Sequence, residues 1–218
     1  MKKTTLIIAA FLLSSISAFS QVLKPVKLDS LVTVSMPPEY KRQDTLGQQI
    51  LSGNSLYGYI MVIRTANPAG KPLKYEKDLK KELKNYQNKV LASARKGTVA
   101  HDHDTMINNN LIARDFTLKI DTGSGVQDRQ FRLVYTKNYT YTFQYLLNDA
   151  QQEVAGSEMK AFFNSIKFDP SIDREDQYST LGQFTGMHKG LKMGLIAGGL
   201  IIVGLIIWLV SRRKKKRV

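Results

Sequence analysis

Apolar residues recur along this chain with two different periods, and the alternation between them outlines an exported domain. From Lys74 to Lys96 the residues Tyr75, Leu79, Leu83, Tyr86, Val90 and Ala94 follow one another three or four positions apart. That spacing places them on one face of an α-helix, which Gly97 ends. Elsewhere the period is two. Tyr139, Tyr141, Phe143, Tyr145 and Leu147 alternate with Thr140, Thr142 and Gln144, which predicts a strand with one buried aromatic face. Leu31 to Ser35, Gln48 to Leu51, Tyr57 to Thr65, Leu111 to Ile120 and Val126 to Lys137 have strand composition. Pro37-Pro38, Ser52-Gly53-Asn54, Asp121 to Gly125 and Lys137-Asn138 supply the breaks and turns. Glu158 to Ile166 predicts a short helix packing Met159, Phe162, Phe163 and Ile166. The order is ββ(β)–α–βββ–α. The fold class is α+β: an antiparallel sheet flanked by a long helix and a short C-terminal helix.

Two runs do not fit a water-soluble domain. Leu6 to Leu13 is apolar but only eight residues long. It follows Lys2-Lys3 and precedes Ala18-Phe19-Ser20, which predicts a signal peptide over 1–20, cleaved after Ser20. Met193 to Val210 holds 18 residues without a charge. A helix of that length covers about 27 Å, close to the bilayer's hydrocarbon thickness. Trp208 lies near its end, and Arg212 to Arg217 follow as an unbroken basic run. The expected organisation is an exported α+β domain over 21–170, a linker over 171–190, one transmembrane helix over 191–210 and a basic cytoplasmic tail over 211–218. By the positive-inside rule the domain lies outside the cytoplasmic membrane, in the periplasm or its equivalent. Ser179 to Gly190 contains no LPxTG-type sorting sequence, which favours a permanent single-pass anchor.

The chain of 218 residues carries a formal charge of +14. More than half of that excess sits at the two ends, beside the apolar runs, where it reports topology rather than a nucleic-acid surface. The absence of cysteine removes disulfides, zinc–thiolate sites and cysteine nucleophiles.

A strand ending in proline (VTVSMPPEY, Val32 to Tyr40), a long helix, an antiparallel meander and a closing FFNSIKFDP (Phe162 to Pro170) resemble the PsbP-like fold. The likeness covers most of Leu28 to Pro170. It implies an α/β/α sandwich of the kind found in photosystem accessory subunits and in many exported bacterial proteins. It also implies a binding or assembly module rather than an enzyme. The C-terminal anchor departs from the family's usual pattern.

Chemistry-bearing motifs are few. There is no GxSxG and no glycine loop between a strand and a helix. No cofactor is expected. His101 and His103 stand two apart in His101-Asp102-His103-Asp104 and would share one face of a strand, opposite Asp102 and Asp104. They are read either as the start of a metal-dependent site, lacking nameable further ligands, or as an exposed polar hairpin before Asn108-Asn109-Asn110. On the long helix, Lys77, Lys81, Lys84 and Arg95 fall in one sector away from the apolar stripe, with Lys74 and Lys96 beside it. That stripe is either a solvated face or a surface for anionic lipid or an acidic envelope protein. Gly190, Gly194 and Gly198 continue a four-residue row begun by Gly182 and Gly186. In the membrane such a row lets another helix approach closely and predicts self-association through the transmembrane helix.

Overall fold

The computed structural model describes residues 23–68, 73–94, 97–108 and 110–179. The segments read as signal peptide, transmembrane helix, glycine row and basic tail, together with Arg95, lie outside the described residues. Among the described residues no helix is long and apolar enough to cross a membrane.

Among the described residues the domain has ten strands and two α-helices. The strands are β1 (Lys24–Lys27), β2 (Val32–Met36), β3 (Lys41–Thr45), β4 (Gln48–Asn54), β5 (Tyr59–Ala66), β6 (Gly97–Ile107), β7 (Leu111–Asp121), β8 (Val126–Tyr135), β9 (Tyr139–Asn148) and β10 (Lys167–Phe168). Helix α1 spans Glu76–Ser93 and α2 spans Gln152–Asn164. Seven strands form one antiparallel sheet in the order β3-β4-β5-β9-β8-β7-β6, and β1-β2-β10 form a second, smaller sheet. The mixed α+β class and the antiparallel pairing are therefore present, but the strands divide between two sheets where the sequence predicted one.

Strand β9 is the middle of the large sheet, and its two faces meet two cores. Tyr141, Phe143, Tyr145 and Leu147 pack with β2, β10 and α2, including Val32, Val34, Met36, Phe162 and Phe168. On the opposite face α1 lies across β6, β7 and β8. There Leu79 and Leu83 meet Ile112, Phe116, Leu118, Phe131 and Leu133. The rings of Phe116 and Phe131 stack at 4.6 Å. The alternation in β9 predicted one buried face, but Thr140, Thr142 and Gln144 are buried too. The larger side chains around them explain this: Thr142 lies against Tyr86 of α1 and between Ile63 and Leu133, and Gln144 lies between Met61 and Phe131. The polar atoms are satisfied locally: Thr142 Oγ1 donates to Tyr86 Oη of α1 at 3.0 Å, and Thr140 Oγ1 donates to Asn67 Oδ1 at 2.6 Å.

The two sheets are tied by Asp29. Its Oδ1 accepts from the backbone N–H groups of Leu31 and Val32, each at 2.8 Å. Its Oδ2 accepts from Tyr141 Oη at 2.9 Å and lies 3.1 Å from Arg64 Nε. The Arg64 guanidinium in turn sits 3.8 Å over the Tyr139 ring. Burial, helped by the Asp29 carboxylate, pushes the Tyr141 hydroxyl pKa well above its ordinary value.

Four local expectations change. Tyr75, expected on the apolar face of the long helix, precedes its first turn and is half exposed. The turn expected at Ser52-Gly53-Asn54 lies at Ser55–Gly58, closed by Ser55 N–H to Gly58 O at 2.8 Å. Gly58 faces Tyr145 and the backbone of Leu146 so closely that a Cβ would lie 2.5 Å from Leu146 O, so only glycine fits there. The segment around His101, readable as a hairpin loop, belongs to β6, with a bulge between Ala100 and His103. Finally, packing continues past Pro170. The Gln177 side chain donates to Ile112 O and accepts from Ile112 N–H, each at 2.8 Å, and Tyr178 is buried against α1.

Candidate functional site

Helix α1 forms because its apolar positions recur at helical spacing and because Asp78 Oδ2 accepts from the Tyr75 N–H at 3.1 Å, capping the first turn. Packing fixes its rotation. With Leu79, Leu83 and Gln87 buried, Lys77, Lys81 and Lys84 must lie toward solvent or toward the sheet edge at β6. The structure separates these three lysines, which the sequence groups.

Lys84 turns to the edge. Its Nζ lies 2.6 Å from Asp102 Oδ2. Asp102 also receives Arg114 Nη2 of β7 at 2.5 Å, while Arg114 Nη1 binds Asp104 Oδ1 at 2.8 Å. The third arm of the same guanidinium, Nε, donates to Gln87 Oε1 at 2.8 Å. One fixed fork thus holds two carboxylates of β6 and one amide of α1, using the planar geometry that lysine lacks. Lys80 adds to the network, 2.8 Å from Glu76 Oε1 and 3.8 Å from Asp104 Oδ2.

The electrostatics follow the geometry. Partial burial pushes the Asp102 carboxyl up, but hydrogen bonds from Lys84 and Arg114 outweigh it and hold the pKa below the usual carboxylate value. The hydrogen bond from Lys80 lowers that of Glu76, and the same bond raises that of Lys80.

Lys77 and Lys81 are different. Both are exposed, and among the described residues neither is paired with a carboxylate. Lys77 Nζ lies 5.4 Å from the centre of the Tyr75 ring, and Tyr75 is itself half exposed. The free charge on the helix is therefore carried by Lys77 and Lys81, with exposed Lys74 just before it and Lys89 further along. The ordinary reading of the stripe, a solvated face, applies to Lys84 least, since it is a structural ion-pair partner.

His101 and His103 are exposed on the bulged stretch of β6. His101 has φ +50°, and His103 Nδ1 lies 3.1 Å from the His101 carbonyl oxygen. Among the described residues no three His, Asp or Glu side chains are placed to hold a metal. Asp102 and Asp104 do share a face, and they are engaged by Arg114. That fork is the feature sequence reasoning missed. The available signal was the i, i+2 spacing of the two aspartates, but nothing in the sequence names Arg114 as their partner.

No family model matches the sequence, and no curated protein matches it. Solved structures do. The chain is similar to cyanobacterial PsbP (CyanoP) from Synechocystis, known from a solution structure, with a TM-score of 0.53 at 11% identity over 70% of this chain and 95% of that one. The fold is PsbP-like. A crystal structure from Bacteroides thetaiotaomicron overlaps at a TM-score of 0.44 and 10% identity, over 70% of this chain and 50% of that one.

Proposed function

We propose that this protein is a membrane-anchored, extracytoplasmic binding or assembly module of a bacterial envelope and not an enzyme. It sits in the cytoplasmic membrane with its domain outside and its basic tail inside. The observation that carries the binding reading is the pair of unpartnered ammonium groups on one rigid helix, Lys77 and Lys81, beside a half-exposed tyrosine. The PsbP-like fold supports the same class of role. The apolar run 193–210, with its basic flank, supports the anchor.

With packing running on to Tyr178, the remaining stretch 180–190, read as the linker, would keep such a domain near the headgroups. Each lysine near an anionic surface contributes about 1 kcal/mol, so Lys74, Lys77 and Lys81 together would orient the domain on anionic lipid or on an acidic envelope protein. The attraction fades as salt shortens the Debye length. The test is co-flotation of the full chain, reconstituted in neutral carriers, with vesicles of anionic lipid. Binding is expected at low salt, with loss at high salt and in the Lys77→Glu/Lys81→Glu variant. Lys84 is left intact because its reversal would break the Asp102 contact. Salt-independent binding, or binding indifferent to the double reversal, would refute the reading.

A further inference from the structure

The large sheet is wider than the helix that covers it. Helix α1 lies across β6, β7 and β8, and on the same face the strands β4, β5 and β9 carry apolar side chains of their own. The register places them in three rows. Ile50 pairs Ile63, which pairs Thr142. Ser52 pairs Met61, which pairs Gln144. Tyr59 pairs Leu146, which pairs Arg129 of β8. Because paired residues share a face, Ile50, Tyr59, Met61, Ile63 and Leu146 form one patch on the side of Tyr86 and α1. All five are half-buried. Among the described residues none belongs to either hydrophobic core.

We propose that this patch is the docking site for an amphipathic helix of a partner protein, with one apolar stripe flanked by carboxylates. The dimensions choose a helix. From Tyr59 to Ile63 the patch runs about 13 Å along the strand, and β4 to β9 spans about 10 Å across. That is the footprint of a helix about 10 Å across with its side chains. It lies alongside α1, which stands proud of the sheet by its own thickness. A flat bilayer would rest on that step without reaching the floor. A second copy docking through the outer face of its own α1 would bring Lys77 and Lys81 onto apolar side chains.

Charge chooses the flanks. Lys41, in register with Ser52 on the open edge, and Arg129, in register with Leu146, border the patch on opposite sides. The strand positions facing this side on β3, β4, β5 and β9 include no carboxylate. Glu82 of α1, which acts on the nearby Tyr135 hydroxyl, is an acidic neighbour on the α1 side. An incoming helix with glutamates or aspartates beside its stripe satisfies both cations, and one with lysines is repelled.

The inference is independent of the lysine face of α1, and its test uses a different position. A photo-crosslinking amino acid is placed at Met61, and in a second variant at Ile63, in the full chain in its native membrane. Adducts are mapped by mass spectrometry, with Lys81 as the control position. The expected adduct joins Met61 or Ile63, but not Lys81, to a segment of another protein whose apolar residues recur at helical spacing between acidic ones. Its yield should fall about tenfold in Lys41→Glu/Arg129→Glu, a rim variant that leaves the floor untouched. Adducts only to lipid, to a second copy or to this chain, adducts to a segment without that pattern, an unchanged yield in the rim variant, or no adduct at either position would each overturn the proposal.

Discussion

Arg114 shows what one residue can decide. Its guanidinium is mostly buried, with 12% of the side chain exposed, and it faces carboxylates that are themselves mainly covered. Removing it leaves Asp102 and Asp104 facing the same space without their shared cation. Arg114→Met should therefore lower stability by about 2 kcal/mol, read by chemical denaturation of the full chain. The network also sets a pH dependence. Asp102 titrates lower in the folded state than in the unfolded chain. Its contribution is whole above the ordinary carboxylate pKa near ~3.9 and is lost as pH falls through the folded value. Asp102→Asn should accordingly be less stable than wild type at neutral pH, with the difference shrinking as the solution is acidified below about pH 4. A gap that stays constant down to acid pH would exclude this origin. None of this was legible from residue types. The i, i+2 aspartates were visible, but their cation comes from the neighbouring strand and its register.

At the scale of elements, helix α1 was the most legible feature and also the one most refined by packing. Its apolar stripe was readable because helical period and burial coincide in Leu79 and Leu83. The structure trims its ends and divides its lysines by what lies beside them. Lys84→Glu should bring like charges together at Asp102 and cost about 1 kcal/mol, whereas Lys81→Glu should change stability by less than about 0.5 kcal/mol. Paired thermal melts of the two variants measure the difference, and equal effects would contradict the assigned contacts. Four strands escaped detection: β1 and β10, four and two residues long at the edges of the small sheet, and β3 and β6 at the edges of the large one. All residues of β3 (KRQDT) are exposed, and β6 alternates histidine and aspartate over a bulge. Both are edge strands, built from polar residues that discourage further pairing, so they carry no apolar periodicity to read.

On the scale of the whole molecule, the boundary of the domain is a matter of which backbone groups the chain end satisfies. Gln177 closes hydrogen bonds to Ile112 and to Tyr135 O, and Tyr178 fills part of the core beneath α1. A fragment ending at Arg174 should be less stable than one ending at Ser179 by about 2–4 kcal/mol, because it strands buried backbone groups and opens a cavity. Matching denaturation midpoints for the two fragments would disprove that role. The proposed membrane arrangement has its own test. In sealed vesicles of known sidedness, protease added to the extracytoplasmic side should degrade the domain and spare the tail. Cleavage of the tail from that side would reverse the topology.

The sequence by itself determined what depends on neighbours along the chain: the helix of α1, the alternation of β9, the apolar run 193–210, the basic flank and the resemblance to a PsbP-like domain. Each of these is a periodic or compositional signal, and hydrophobic burial enforces it wherever the segment ends up. Tertiary structure alone decided the division into two sheets, the burial of both faces of β9, the capture of Lys84 by Asp102, and the half-buried apolar patch around Met61. These depend on strand order and register. Residues more than a hundred positions apart, such as Asp29 and Tyr141, meet only after non-local pairing, and no local period encodes which strand will lie beside which.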